Sequence, residues 1–203
     1  MFHQVVRHRS PPAVRPSLHH LDDAVPTRFV ETVRRVSESL GALGVRHLLL
    51  GGLAVGVYGH PRTTRDVDFL IGPEGCVVTD GLLYPSEAVL AIVDRETIPV
   101  DTLVLRDAAP LVKPEFLEEL DEMLAFPSRA EEVPIAPVEL IVGTKLLRQK
   151  AQDVADIVEL AQLPTFDREA VRAFVRRTLR SPLPDDLERM LAQADRERAM
   201  TTR

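Results

Sequence analysis

The sequence predicts an α+β protein: a mixed β-sheet with helices packed on it, followed by a helical C-terminal region. Three observations carry that expectation. Short apolar runs at 45–50, 65–71, 88–93 and 98–105 have strand length and are rich in Val, Ile and Leu. Val30, Val33, Val36, Leu40 and Leu43 recur at helical spacing ahead of the first run. From Pro110 onward the pattern turns helical.

The first 25 residues carry Arg7, His8, Arg9, Arg15, His19, His20 and several prolines, with no apolar run. They read as a disordered or loosely attached tail rather than a secretory leader. A core over 26–109 and a mostly helical region over 110–203 complete the expected division. The first helix starts near Thr27 and is ended by Gly41 and Gly44. "VRHLLL" (45–50) reads as a buried strand, Gly51-Gly52 as a tight strand-to-helix turn, and "LAVGVYG" as a short helix closed by Gly59. In "RDVDFLI" (65–71), strand alternation turns Asp66, Asp68 and Leu70 one way and Val67, Phe69 and Ile71 the other. The runs at 88–93 and 98–105 make a hairpin joined at "DRET", with Asp101 in mid-strand. Residues 72–87 carry no pattern that settles an element.

Further on, "PEFLEELDEMLAF" is an amphipathic helix, and 126–137 is a proline-rich connector. Pro137 suits the first turn of "VELIVGTKLLRQK", which "AQDVADIVELAQ" continues or restarts. Asp167 can cap "REAVRAFVRRTLR", and Asp185 or Asp186 can cap the last helix.

The bulk composition narrows the function classes. With 203 residues, 45% apolar and 28% charged, the chain can bury a real core as one domain or a core with a helical appendage. A net charge of −6 gives no whole-chain signal for nucleic-acid binding. The lone Cys76 excludes an intrachain disulfide framework and fits a reducing, cytoplasmic setting; without a basic neighbour it reads as structural. The longest nearly uncharged run, Leu48 to Tyr58, is too short to span a bilayer, so no membrane partner is expected. His47 and His60 lack the spacing of a zinc site. Arg168, Arg172, Arg176 and Arg180, with Arg177, form a basic stripe that is read first as a solvated, partly paired face and second as a polynucleotide contact. Tyr58 either stacks on a nucleobase or finishes a core helix.

The chemistry concentrates in 48–71. A glycine-rich turn feeding a helix offers free N–H groups to phosphate, although "GGLAVG" matches neither the Walker A nor the Rossmann pattern. Downstream of the turn lies a D-x-D pair, Asp66 and Asp68. Two carboxylates on one strand face lie roughly 6.5 Å apart at Cα, close enough to share one hard cation or hold a pair. Without a cation such charges repel and lose solvation, at a cost of several kcal/mol if buried.

Gly51-Gly52, the pattern Arg62-x-Thr64-x-Asp66-x-Asp68, Asp101 in "VD" and "ELIVGTKLLRQKAQDVADI" (139–157) together resemble the nucleotidyltransferase superfamily whose prototype is DNA polymerase beta. More narrowly, they resemble the bacterial group of minimal nucleotidyltransferases and AbiEii-type abortive-infection toxins. The resemblance covers 27–163. Two departures stand out: the superfamily usually has Gly-Ser where this chain has Gly51-Gly52, and the segment before Asp101 is short.

The resemblance implies a nucleotidyltransferase-like sheet and Mg²⁺-dependent (or Mn²⁺-dependent) transfer of a nucleotide from an NTP to an acceptor hydroxyl. It assigns Asp66, Asp68 and Asp101 to metal binding and catalysis, Asp101 completing a second metal position or accepting the proton of the attacking hydroxyl. Lys145 joins them as a catalytic cation. Gly51, Gly52, Arg62, Thr64, Asp153 and Asp156 fall on the nucleotide side, the last two at i, i+3 and able to orient Lys145 or the acceptor. The relatives further imply a tRNA or protein acceptor, a toxin role and a cognate antitoxin. The rival reading is a catalytically inactive binding or regulatory module of the same fold, against which the intact Asp66, Asp68 and Lys145 weigh.

Overall fold

A 3₁₀ turn at Leu18–Leu21 leads into α1 (Thr27–Ala42), β1 (His47–Leu50), α2 (Gly51–Val57) and β2 (Val67–Ile71). The short strands β3 (Val78–Thr79) and β4 (Leu82–Leu83) pair with each other, and the hairpin β5 (Val89–Val93) and β6 (Glu96–Leu103) comes next. The rest of the chain is α3 (Pro114–Ala125), β7 (Ser128–Ala130), β8 (Val133–Ile135), α4 (Val138–Arg148), α5 (Ala151–Gln162), α6 (Arg168–Thr178) and α7 (Leu183–Thr201). The computed structural model describes residues 16–72, 78–79, 82–83, 89–93, 96–103 and 110–201. Cys76 lies outside the described residues.

The protein is α+β. Its main sheet has six strands in the order β5-β6-β2-β1-β8-β7 and is mixed: β2 runs parallel to β6 and β1 parallel to β8, while the other neighbours are antiparallel. The centre of this sheet is apolar on both faces. Leu48 and Leu49 of β1 and Val67, Phe69 and Leu70 of β2 have no exposed surface, which is why neither strand shows a clean polar–apolar alternation. Helix α1 lies across the sheet, touching β1, β2, β5 and β8 through a face that buries Phe29, Val30 and Val33. It stops at Gly44, whose φ of +71° lets the chain turn into β1. Helices α3 to α7 pack on one another, with Phe116 of α3 against Phe174 of α6 at 5.9 Å between ring centroids.

Three expectations need correction. Residues 16–25 are not a loose tail: Leu18 and Leu21 are buried, and the turn they form packs on α2. The packed chain therefore begins ahead of the expected boundary at 26. The connector at 126–137 contains β7 and β8, and the second of these completes the sheet beside β1 through Ala136 N–H to the Leu49 carbonyl at 3.0 Å. Three-residue strands have too few alternations to register as a period, and the prolines conceal them further. The sheet is thus built from both halves of the expected division. Finally, α7 starts at Leu183, so Asp185 and Asp186 lie in its first turn rather than capping it. Asp167 does cap α6, accepting from Ala170 N–H at 3.0 Å.

Candidate active site

Asp68 is the second residue of β2, and the sheet register decides its neighbours. It stands opposite Leu50 at the end of β1 and opposite Asp101 on the parallel strand β6. Residues directly opposite in a ladder present side chains to the same face, so the two carboxylates are brought together. Asp66 precedes the strand by one residue, and Thr64 Oγ1 donates to its Oδ1 at 2.8 Å. One carboxylate oxygen from each of Asp66, Asp68 and Asp101 lies within 4.8 Å of the other two. Asp66 and Asp68 are half-buried and Asp101 is exposed.

This cluster is electrostatically uncomfortable. Burial first, and the charge of Asp66 next, push the Asp68 carboxyl up to about 6; Asp101 adds to the rise, while Arg148 and Lys145 oppose it. The donor set is entirely carboxylate oxygen, the preference of a hard divalent cation, and such a cation would relieve the repulsion. The residues present therefore fit a hard divalent cation.

Glycine is required where β1 passes into α2. Gly51 has φ +66°, and a Cβ on it would overlap the Asp68 carboxylate. At Gly52 the backbone is ordinary, but a Cβ would stand 3.0 Å from the Arg62 guanidinium. The room left by the missing side chain is occupied by Arg62.

The opposite wall comes from α4 and α5. Lys145, 4% exposed, donates from Nζ to Asp156 Oδ2 at 2.5 Å and to Asp153 Oδ1 at 3.3 Å. Arg62 grips the same Asp156 with both prongs of its fork, Nε to Oδ1 at 2.7 Å and Nη2 to Oδ2 at 2.9 Å. Gln152 adds a fourth donor at 3.0 Å. Burial works to raise the Asp156 carboxyl, but the hydrogen bonds from Arg62, Lys145 and Gln152 overcome it and hold it below the usual range. Asp153 accepts from the Lys150 backbone N–H at 3.2 Å and sits 3.3 Å from Arg148 Nε. The two acids thus lie behind Lys145 and Arg62 and face these cations. Neither lines the cleft.

Between the walls is a cleft of about 360 Å³, lined by Gly51, Gly52, Arg62, Thr64, Asp66, Asp68, Asp101 and Lys145 among others. Sequence reasoning picks out all eight. It leaves out Thr63, Arg65, Arg148 and Lys150, which also line the cleft. A signal is present for the cations: Arg65 adjoins the diacid, and the other two flank the end of α4 in "LLRQK".

No protein-family model matches this chain, and no curated protein matches it. Among solved structures, the chain is similar to an antigenic nucleotidyltransferase-like protein from Paracoccidioides brasiliensis. The similarity covers 88% of this chain and 92% of that one, at 14% identity and a TM-score of 0.47.

The remaining sequence candidates fall outside the cleft. The Tyr58 hydroxyl donates to the Ala136 carbonyl at 3.0 Å, which ties α2 to the end of β8, and the residue does not line the cleft. His47 is buried against Phe69 and accepts from or donates to Ser37 at 2.8 Å. Four of the five arginines of the stripe are paired with acids, Arg168 with Asp195, Arg172 with Glu188 and Glu169, Arg176 with Glu188, and Arg177 with Glu119, while Arg180 donates to the Val112 carbonyl at 3.4 Å. Such a neutralised face is a poor track for a polynucleotide. Among the described residues, no helix is long and apolar enough to cross a membrane.

Proposed function

We propose that this cleft binds an NTP with Mg²⁺ or Mn²⁺ and transfers its nucleotidyl group to an acceptor hydroxyl, the bond between the α-phosphorus and the bridging oxygen breaking to release pyrophosphate. The observation that carries the reading is the convergence of Asp66, Asp68 and Asp101 on one face, across a cleft from Lys145 and Arg62. Asp66 and Asp68 would hold the cation through carboxylate oxygens. Asp101 completes a second position or accepts the proton of the attacking hydroxyl. When bound, the metal supplies neutralisation of charge on the attacked and leaving oxygens.

The chain's own cations supply orientation. A guanidinium has five N–H donors and an ammonium three. Arg62 spends three of its own on Asp156 and the Thr63 carbonyl, and Lys145 spends two on Asp153 and Asp156. Each keeps donors for a phosphate while its position is set from behind, which is the preorganisation that phosphoryl transfer rewards. Gly52 offers backbone rather than a hydroxyl.

The acceptor (tRNA or a protein side chain), the toxin role and the cognate antitoxin are proposed on the family resemblance of 27–163. The test is transfer of label from a panel of α-labelled NTPs to total RNA or total protein with Mg²⁺ or Mn²⁺. Transfer is expected to fall at least about 100-fold in Asp66→Asn and Asp68→Asn. Nucleotide binding without transfer to either acceptor pool would overturn the enzymatic reading in favour of a binding module.

A further inference from the structure

Two of the cations at the mouth of the cleft, Arg148 and Lys150, flank a single residue with unusual backbone. Gln149 has φ +49° and ψ +31°, a left-handed conformation that a side chain with a Cβ seldom adopts unless something holds it there. It is the C-cap of α4, its N–H bonded to the Lys145 carbonyl at 2.9 Å, and α5 begins two residues later. The holding group is on a third helix. Gln149 Nε2 donates to Asp186 Oδ2 at 2.6 Å, and Asp186 is 6% exposed in the first turn of α7. The other carboxylate oxygen of Asp186 is taken by Arg189, one turn further along α7.

We infer that Asp186 is a positioning residue for the phosphate-binding rim: by fixing Gln149 in the left-handed region, it aims Arg148 and Lys150 into the cleft. Asp186 does not line the cleft and acts through the turn. An unconstrained Gln149 would relax toward right-handed backbone, and a peptide rotated at 149 redirects the residues on both sides of it. Arg148 would then lose its approach to Asp153, and the Lys150 N–H its bond to the same carboxylate. Helix α7 is in this way coupled to a cleft that it does not enter. The inference rests on the reading of the cleft as a phosphate site.

The test uses the full chain in four forms: wild type, Asp186→Ala, Asp186→Asn and Arg189→Ala. Asn keeps an oxygen for the Gln149 amide, and Arg189→Ala removes only the outer partner. Amide exchange is followed by mass spectrometry in peptides spanning 146–153, and inorganic tripolyphosphate with Mg²⁺ is titrated calorimetrically. In Asp186→Ala, exchange at 149–151 should quicken by about tenfold and tripolyphosphate affinity should fall roughly 3–10-fold, the effect of one charge-assisted hydrogen bond. Asp186→Asn and Arg189→Ala should stay within about twofold of wild type in both readouts. Unchanged exchange in Asp186→Ala would overturn the tie itself, and quickened exchange with unchanged affinity would overturn its role in aiming the cations. A wild-type chain that binds no tripolyphosphate would overturn the phosphate reading and the rim's role with it, while the exchange arm would still decide whether Asp186 holds the turn.

Discussion

Replacing Asp68 by Asn should make the metal-free protein more stable and the metal-bound protein less so. Asp68 is lifted from 3.8 to about 6 by burial and by its acidic neighbours. A rise of about two pH units corresponds to an upper limit of about 3 kcal/mol of unfavourable charge in the fold. The site is half-open to water, which reduces that figure to about 1–2 kcal/mol. Because the folded-state value is the higher one, the penalty is absent below the unfolded value, grows as pH rises from about 4 to about 6, and is complete above that. Asn removes the charge and keeps the shape. Thermal unfolding at pH 7.5 in EDTA should therefore show Asp68→Asn melting about 3–6 °C above wild type, with the gap closing near pH 4. Adding Mn²⁺ to a hundredfold excess over its dissociation constant should stabilise wild type by about 2.7 kcal/mol and the variant hardly at all, so that the order reverses. An Asn variant that melts at or below wild type in EDTA, and gains as much from Mn²⁺, would refute both the repulsion and the metal assignment.

Two further substitutions probe the walls of the cleft. Gly51→Ala forces a Cβ into left-handed backbone and onto the Asp68 carboxylate; it should cost about 1–3 kcal/mol in urea unfolding and weaken Mn²⁺ binding in the same protein. Asp156→Ala takes from Arg62 and the buried Lys145 their shared counter-charge, leaving Lys145 only the longer contact to Asp153 at 3.3 Å. A loss of about 3–5 kcal/mol in urea unfolding is expected, against a change within about 1 kcal/mol for Glu188→Ala, which takes a surface carboxylate from Arg172 and Arg176 while Arg172 keeps Glu169.

Legibility in the sequence tracks the range of the interaction. Asp66 and Asp68 are readable because strand alternation is local: two residues apart means the same face. The i, i+3 placement of Asp153 and Asp156 is readable for the corresponding helical reason. That Asp156 takes Arg62, 94 residues earlier in the chain, has no local signature. Likewise Asp101 is visible as an acid in mid-strand, but its place opposite Asp68 comes from the register of a parallel pair whose strands are joined by a long crossover. The strands β7 and β8 escape notice because they are short and hold a proline, and the packing of 16–25 because two leucines in four residues make no period.

By itself the sequence determined the chemical inventory: an acid pair two residues apart at the entry of a strand, a glycine turn ahead of it, and a lysine followed by two acids on a helical repeat. These come from backbone geometry, which repeats every two or every 3.6 residues and needs no distant partner. Only the tertiary structure decided which charges meet. It set Asp101 beside Asp68, turned Asp153 and Asp156 away from the cleft onto Lys145 and Arg62, and paired four of the five arginines of the stripe with acids. Charges at these distances from one another in the chain come together only when the sheet closes and the helices dock, since the burial of apolar side chains that drives both is indifferent to sequence separation.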